Sequence, residues 1–234
     1  MLDNYATVNQ AVAALETEPF QILAPTLPDG SAAAMHLSIS DSTGDSAVFE
    51  YLEGKLVIHH NKRFTVMTNS PSYDQQLAIN EYWKGIGGLT FLPGTNRAAD
   101  RFARASFLLD SIPKNVDPNF IKRVPQQNFA YQAVASVLSV QRAVSVPLGI
   151  STPDQPNIAS TLWRTVADQK NLTYYFDSAT RPNTFWVSLK RADLSVGAPV
   201  KKLTIAHGEV FSGDVTDTFQ PAEPFKFLPA TAVR

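Results

Sequence analysis

From Thr7 to Leu15 the apolar residues Val8, Ala11, Val12 and Leu15 recur at helical spacing. Thr7, with Gln10 three residues on, has the form of a capping box, so a helix is predicted to begin at about Val8. Pro25–Ser31 reads as a loop, and beyond it the spacing shortens. His36–Ser40 alternates, and Ser46–Tyr51, Lys55–His60 and Phe64–Met67 are short apolar runs. Turn-forming residues at Asp41–Gly44, Glu53-Gly54 and Asn61–Arg63 separate the four, which predicts an antiparallel meander.

The helical period returns at Ser72. The first predicted helix is Ser72–Lys84, closed by Gly85, Gly87 and Gly88. A second is capped by Thr95 or Asn96 after Pro93-Gly94 and runs to about Leu109. A third covers Pro125–Val140, with Tyr131, Val134, Ala135 and Leu138 on one face. After a loop at Pro147–Pro156, strands are predicted at Leu162–Ala167, Thr173–Phe176 and Thr184–Leu189. Asp168–Asn171 turns between the first two, and a last strand lies near Glu209–Ser212. Strands, then helices, then strands is the order of an α+β fold rather than of alternating α/β units.

With 234 residues, 44% of them hydrophobic, the chain is expected to be a single domain over 1–234 with a sizeable core. A net charge of -1, without long runs of one sign, argues against nucleic acid or an acidic membrane as partner. No apolar stretch approaches the ~20 residues of a membrane span. Met1-Leu2-Asp3-Asn4 has neither the basic start nor the apolar core of a signal peptide. There is no cysteine, so disulfides, cysteine-ligated zinc and a cysteine nucleophile are all excluded for these 234 residues.

Candidate chemistry is sparse. His59 and His60 are adjacent on a strand and point to opposite faces, while His36 and His207 stand apart in the sequence, so no metal site is expected. No phosphate-binding glycine loop supports a cofactor, and no G-x-S-x-G elbow supports an α/β serine hydrolase. Asn69 ends an apolar run two residues before Pro71. A rigidly held asparagine amide can donate to a developing oxyanion, but Asn-Ser-Pro is equally the composition of an ordinary turn. In the helix that follows Thr95, periodicity puts Ala98, Phe102, Ala105 and Leu109 on the buried stripe and Arg101 on its flank. Arg101 can there reach a cleft, with Arg97 and Arg104 further round. The alternative is a solvated cationic face paired with Asp100 and Asp110.

Three stretches carry a resemblance: His36–Lys55 (HLSISDSTGDSAVFEYLEGK), Met67–Asp74 (MTNSPSYD) and Leu92–Phe102 (LPGTNRAADRF). Together, in collinear order, they resemble the choloylglycine hydrolase family, which includes conjugated bile salt hydrolases and penicillin V acylases. Pro156–Ser160 (PNIAS) and Trp163–Thr165 (WRT) are similar to its Gram-negative, penicillin-acylase-like branch. The resemblance implies an N-terminal-nucleophile hydrolase with an αββα sandwich, cleaving a linear, non-peptide amide of a small molecule. It implies a cysteine nucleophile freed at the mature N-terminus, with its own α-amino group as base. Asn69 takes the place of the oxyanion-hole asparagine, and Arg101 that of the arginine beside the nucleophile.

The family's N-terminal section, with the nucleophile and first strands, has no counterpart here. The chain is therefore expected to correspond to the C-terminal part of such an enzyme, to be inactive alone, and to associate with itself or with a complementing N-terminal segment. The contrasting expectation is a non-catalytic homologue acting as a binding or structural protein. Penicillin V, a conjugated bile salt and an acyl-homoserine lactone all hold a suitable amide, and the branch leans toward the first or the last. The branch also implies the periplasm, although the chain carries no export signal.

Overall fold

The computed structural model describes residues 1, 4–23, 36–150 and 160–227. They divide into two compact units, one ending at Asp110 and one covering Ser111–Phe227. The loop expected at Pro25–Ser31, most of the Pro147–Pro156 loop, and Pro156–Ala159 of the PNIAS stretch lie outside the described residues.

The first unit opens with helix α1 (Val8–Leu15). Thr7 caps it: Oγ1 accepts from the Gln10 N–H at 3.2 Å. The return bond differs from the expected capping box, because Gln10 Oε1 accepts from Ala6 N–H instead of Thr7 N–H. Asp41 Oδ2 accepts from Val8 N–H at 2.9 Å, placing an anion at the positive end of the helix. Hydrogen bonds from Thr43 and Val8 hold the Asp41 carboxyl down at about 2.

Strands β1 (Leu37–Ser40), β2 (Ser46–Leu52) and β3 (Lys55–His60) form an antiparallel sheet in the order β1-β2-β3. Glu53 (φ 51°) and Gly54 (φ 78°) are both left-handed, as a tight two-residue hairpin turn requires. Strand alternation gives the sheet two apolar faces. On one, Ala47 and Phe49 pack with Leu37, Ile39, Leu56 and Ile58 against Val8, Val12 and Leu15 of α1. On the other, Val48 meets Tyr73 of α2 (Tyr73–Ile86) and Phe102 of α3 (Ala98–Ser111).

The fourth strand expected at Phe64–Met67 is not one. The segment joins no ladder, although Phe64, Val66 and Met67 do pack against Val48, Tyr73 and Phe102. Its apolar composition reflects burial beneath two helices, and a serine side chain takes one of its carbonyls: Ser46 Oγ donates to Phe64 O at 2.7 Å. Helix α2 passes through Gly85 and ends at Ile86, with Gly87 (φ 85°) as its cap. Helix α3 starts at Ala98, later than expected, because Thr95 and Asn96 stay outside it. Thr95 Oγ1 accepts from Arg97 N–H, and Arg104 donates to the carbonyls of Pro93 and Thr95.

In the second unit, two 3₁₀ turns (Ile121–Arg123 and Pro125–Gln127) precede helix α4 (Phe129–Ala143). The expected start at Pro125 fails because Gln126 is left-handed (φ 55°), and Asn128 caps the helix three residues later. Val134 and Leu138 of α4 pack on Tyr175, Val166 and Trp186, whereas Ala135, expected on that face, is exposed. Strands β4 (Trp163–Asp168), β5 (Thr173–Ser178) and β6 (Thr184–Ser188) are antiparallel neighbours. The two-residue strands β7 (Lys201–Lys202) and β9 (Gln220–Pro221) pair with each other. Strand β8 (Gly213–Asp214) pairs parallel to Phe185-Trp186 of β6, and so lies beyond the Glu209–Ser212 position expected for it. Buried Asp177 of β5 receives Arg142 of α4 at 2.6 Å and Arg164 of β4 at 2.9 Å, with Thr184 of β6 donating at 2.8 Å. Helices and mostly antiparallel sheets follow one another in blocks, an α+β fold. Among the described residues no helix is long and apolar enough to cross a membrane.

Candidate active site

The turn Thr68–Pro71 joins the packed segment Phe64–Met67 to α2. Its geometry is set by a side chain that sequence reasoning did not single out. Gln76, one turn into α2 and fully buried, reaches back over the turn. Its Nε2 donates to the carbonyls of Asn69 and of Pro71, the latter at 2.8 Å. Thr68 Oγ1 lies 2.5 Å from Gln76 Oε1 and 2.9 Å from the carbonyl of Ala98, the first residue of α3. A hydroxyl has one proton, so it serves one of these acceptors at a time. The turn is thereby tied both to α2 and to α3. The available signal was the burial spacing of α2, where Tyr73, Gln76 and Asn80 are the buried residues.

Arg101 and Asn69 are brought together. Arg101 Nη2 donates to Asn69 Oδ1 at 2.7 Å, and Nε donates to Asn96 O at 3.0 Å. A guanidinium only donates. The contact therefore settles which end of the Asn69 amide faces it: Oδ1 turns to Arg101 and Nδ2, with two N–H groups, turns away. Asn69 is exposed, and Nδ2 has no protein partner among the described residues. Burial, and then the neighbouring Arg104 charge, lower the Arg101 pKa from its usual value. Arginine starts so high that it remains a cation at neutral pH. Arg97 is exposed, and Arg104 is occupied with the Pro93 and Thr95 carbonyls. The acid pairing considered for those two arginines is not what holds Arg104.

Beneath α2 lies a second polar cluster. Glu50 of β2 is 1% exposed, and both its oxygens sit 3.0 Å from Tyr73 N, the first N–H of α2. His59 Nε2 lies 3.0 Å from Glu50 Oε2, and His36, which the sequence left isolated, has Nδ1 3.3 Å from Glu50 Oε1. On the opposite strand face His60 pairs with Asp45 at 2.9 Å. Burial and the Glu50 charge push the Tyr73 hydroxyl up to about 12. Among the described residues no group of three or more His, Cys, Asp or Glu could hold a metal ion.

An amide donor oriented by a fixed cation, on a turn clamped from behind, is an arrangement suited to a negative oxygen. Residues 1–206 match the linear amide C–N hydrolases, choloylglycine hydrolase family. The chain belongs to that family. It is 50% identical over 236 residues to a penicillin V acylase of Pectobacterium atrosepticum, covering 97% of this chain and 61% of that protein. It is 31% identical over 136 residues to a bile salt hydrolase/transferase of Clostridium perfringens, covering 49% of this chain and 41% of that protein. The chain thus spans less than two thirds of either relative. The structure of a penicillin V acylase from Agrobacterium tumefaciens superposes with a TM-score of 0.82 at 50% identity, over 98% of this chain and 67% of that one. A conjugated bile acid hydrolase from Clostridium perfringens shares the fold, with a TM-score of 0.63 at 19% identity, over 99% of this chain and 66% of that one.

Proposed function

We propose that this chain carries the oxyanion-binding side of a linear amide hydrolase centre, acting on a small-molecule amide of the penicillin V type. Asn69 is the oxyanion donor and Arg101 the cation beside the nucleophile. The observation that carries the reading is the Arg101–Asn69 hydrogen bond, which turns the Asn69 N–H groups outward. The names of the relatives support penicillin V as the first substrate to try.

The chemistry divides by what each group can do. Asn69 can stabilise the negative oxygen of a tetrahedral intermediate, worth most in a site that excludes water. Arg101 can favour a thiolate over a thiol and fixes the Asn69 amide. Neither can attack a carbonyl. With no cysteine among the 234 residues, the thiol has to be supplied by another segment. The same absence favours the second reading, a homologue that binds amides or serves a structural role without cleaving them.

The test is a chimera in which the N-terminal part of the Pectobacterium acylase, with its nucleophile, is joined ahead of Met1. The chain alone is expected to show no penicillin V hydrolysis, and the chimera to show it. In the chimera Asn69→Ala should lower kcat by about 10²–10³ with little change in KM. Arg101→Ala should also slow turnover, and Arg97→Ala should leave it near the parent value. Folding is checked by circular dichroism. Hydrolysis by the chain alone would overturn the division of labour, and an active chimera indifferent to Asn69→Ala would return Thr68–Pro71 to the status of a plain turn.

A further inference from the structure

Helices α2 and α3, with the loop after α2, border a half-open cavity of about 210 Å³ apart from the Asn69–Arg101 pair. Trp83, Leu92, Ala103 and Phe107 give it apolar walls, and Asn80 and Ser106 give it polar atoms. Asn80 is 6% exposed, and its side-chain amide has no hydrogen-bond partner among the described residues. The amide therefore meets only the solvent that fills the cavity, and its donors and acceptor are free for a ligand. The same stripe of α2 shows the contrast, since both N–H groups of the Gln76 amide donate to carbonyls of the turn.

The walls suit a ring. Trp83 stacks on Phe91 at 5.9 Å with the planes 27° apart, which fixes the indole at the edge of the cavity. Phe107 packs directly on Gly88: a Cβ added at Gly88 would come within 2.3–2.6 Å of three Phe107 ring carbons, too close to be accommodated. The charges near the cavity do not favour an ionic ligand, because Lys84 is paired with Glu81 at 2.6 Å and Asp110 carries the opposite sign. A dry apolar cavity of about 150 Å³ holds benzene. The present volume therefore takes one ring with a small polar substituent.

We propose that this cavity is a binding site for an uncharged single-ring aromatic carboxamide. The ring lies between Trp83 and Phe107. The ligand carbonyl accepts from Asn80 Nδ2, and the ligand N–H donates to Asn80 Oδ1 or to Ser106. The proposal is independent of the oxyanion reading, since it uses neither Asn69 nor Arg101.

The experiment is ligand-observed NMR titration of the full chain with benzamide, with toluene and benzoate as comparisons. Benzamide is expected to bind saturably with Kd at or below about 1 mM, reasonable for so small a ligand. Toluene and benzoate should each bind about tenfold more weakly, for want of the hydrogen bonds and for the charge. Asn80→Leu keeps the size of the side chain and removes both hydrogen bonds, so it should weaken benzamide about tenfold while the chain stays folded. Gly88→Ala should displace Phe107 and abolish binding, and Ser106→Ala is the milder variant if Gly88→Ala does not fold. Absence of saturation, binding unchanged by Asn80→Leu, or toluene binding as tightly as benzamide would each overturn the proposal.

Discussion

Gln76 concentrates more consequence in one side chain than Asn69 does. Its amide holds two carbonyls and a hydroxyl of the turn that presents Asn69. Gln76→Ala leaves those groups to find water through a buried helix face, a loss of about 1–3 kcal/mol. For a chain of this size that lowers Tm by roughly 3–10 °C in a thermal melt. Gln76→Glu is sharper. It keeps the shape but sets an oxygen against the Asn69 and Pro71 carbonyls, so in the chimera it should lower kcat more than it raises KM. A folded Gln76→Glu chimera with the parent kcat would show that the turn does not depend on this clamp. The sequence made Asn69 and Arg101 legible as candidates, because a polar residue closing an apolar run before Pro71 and an arginine flanking a buried helical stripe are both visible in the spacing. It did not reveal that they touch, since they are 32 positions apart. Gln76 was overlooked because a buried glutamine has meaning only once its partners are known.

At the scale of elements, Asp177 joins α4, β4 and β6 to β5 through Arg142, Arg164 and Thr184. Burial pushes its carboxyl up, but the bonds from Arg142 and Thr184, with Arg164 beside them, outweigh this and the net pKa is lowered. A lowered folded-state value means stability that is fully present above the unfolded carboxylate pKa of ~3.9 and lost as pH falls through the folded one. Tm measured against pH should therefore fall steeply below about pH 4. Asp177→Asn should flatten that limb while costing stability at pH 7, because two arginines lose their counter-charge. An unchanged acid limb in Asp177→Asn would assign the acid sensitivity to other carboxylates. Elements with strong local signals were read almost to the residue: α1 by its cap and period, β2 and β3 by the Glu53-Gly54 turn. Phe64–Met67 was misread because apolar residues under a helix and apolar residues in a ladder look alike in sequence. The start of α4 was misread because a left-handed Gln126 has no compositional signature.

For the whole molecule, the distribution of exposed apolar side chains sets the expected solution behaviour. Leu89 (95%) and Tyr82 (65%) in the first unit, and Val196 (107%), Leu194 (76%), Phe225 (77%) and Phe227 (83%) in the second, stand in solvent. Single exposed apolar residues are ordinary, but grouped ones mark surfaces that associate. The isolated chain is expected to self-associate at micromolar concentration and to bind a hydrophobic dye, both reduced by Val196→Ser with Phe227→Ser. Light scattering and dye fluorescence measure this. A monodisperse monomer that leaves the dye dark would show these side chains to be harmless. The α+β class was legible from the order of the elements alone, while the division of the helices between the two faces of the first sheet was not. That division depends on which residues of a two-faced strand meet which helix, and α1 and α3 are separated by over eighty positions.

Gly88 and Phe107 set a constraint that evolution would have had to respect. Any side chain at position 88 collides with the ring at 107, so the two cannot drift independently. Among relatives of this chain, a residue larger than glycine at the first position should be found together with one smaller than phenylalanine at the second. The pair would then appear in an alignment as a correlated substitution, a record of contact written across lineages.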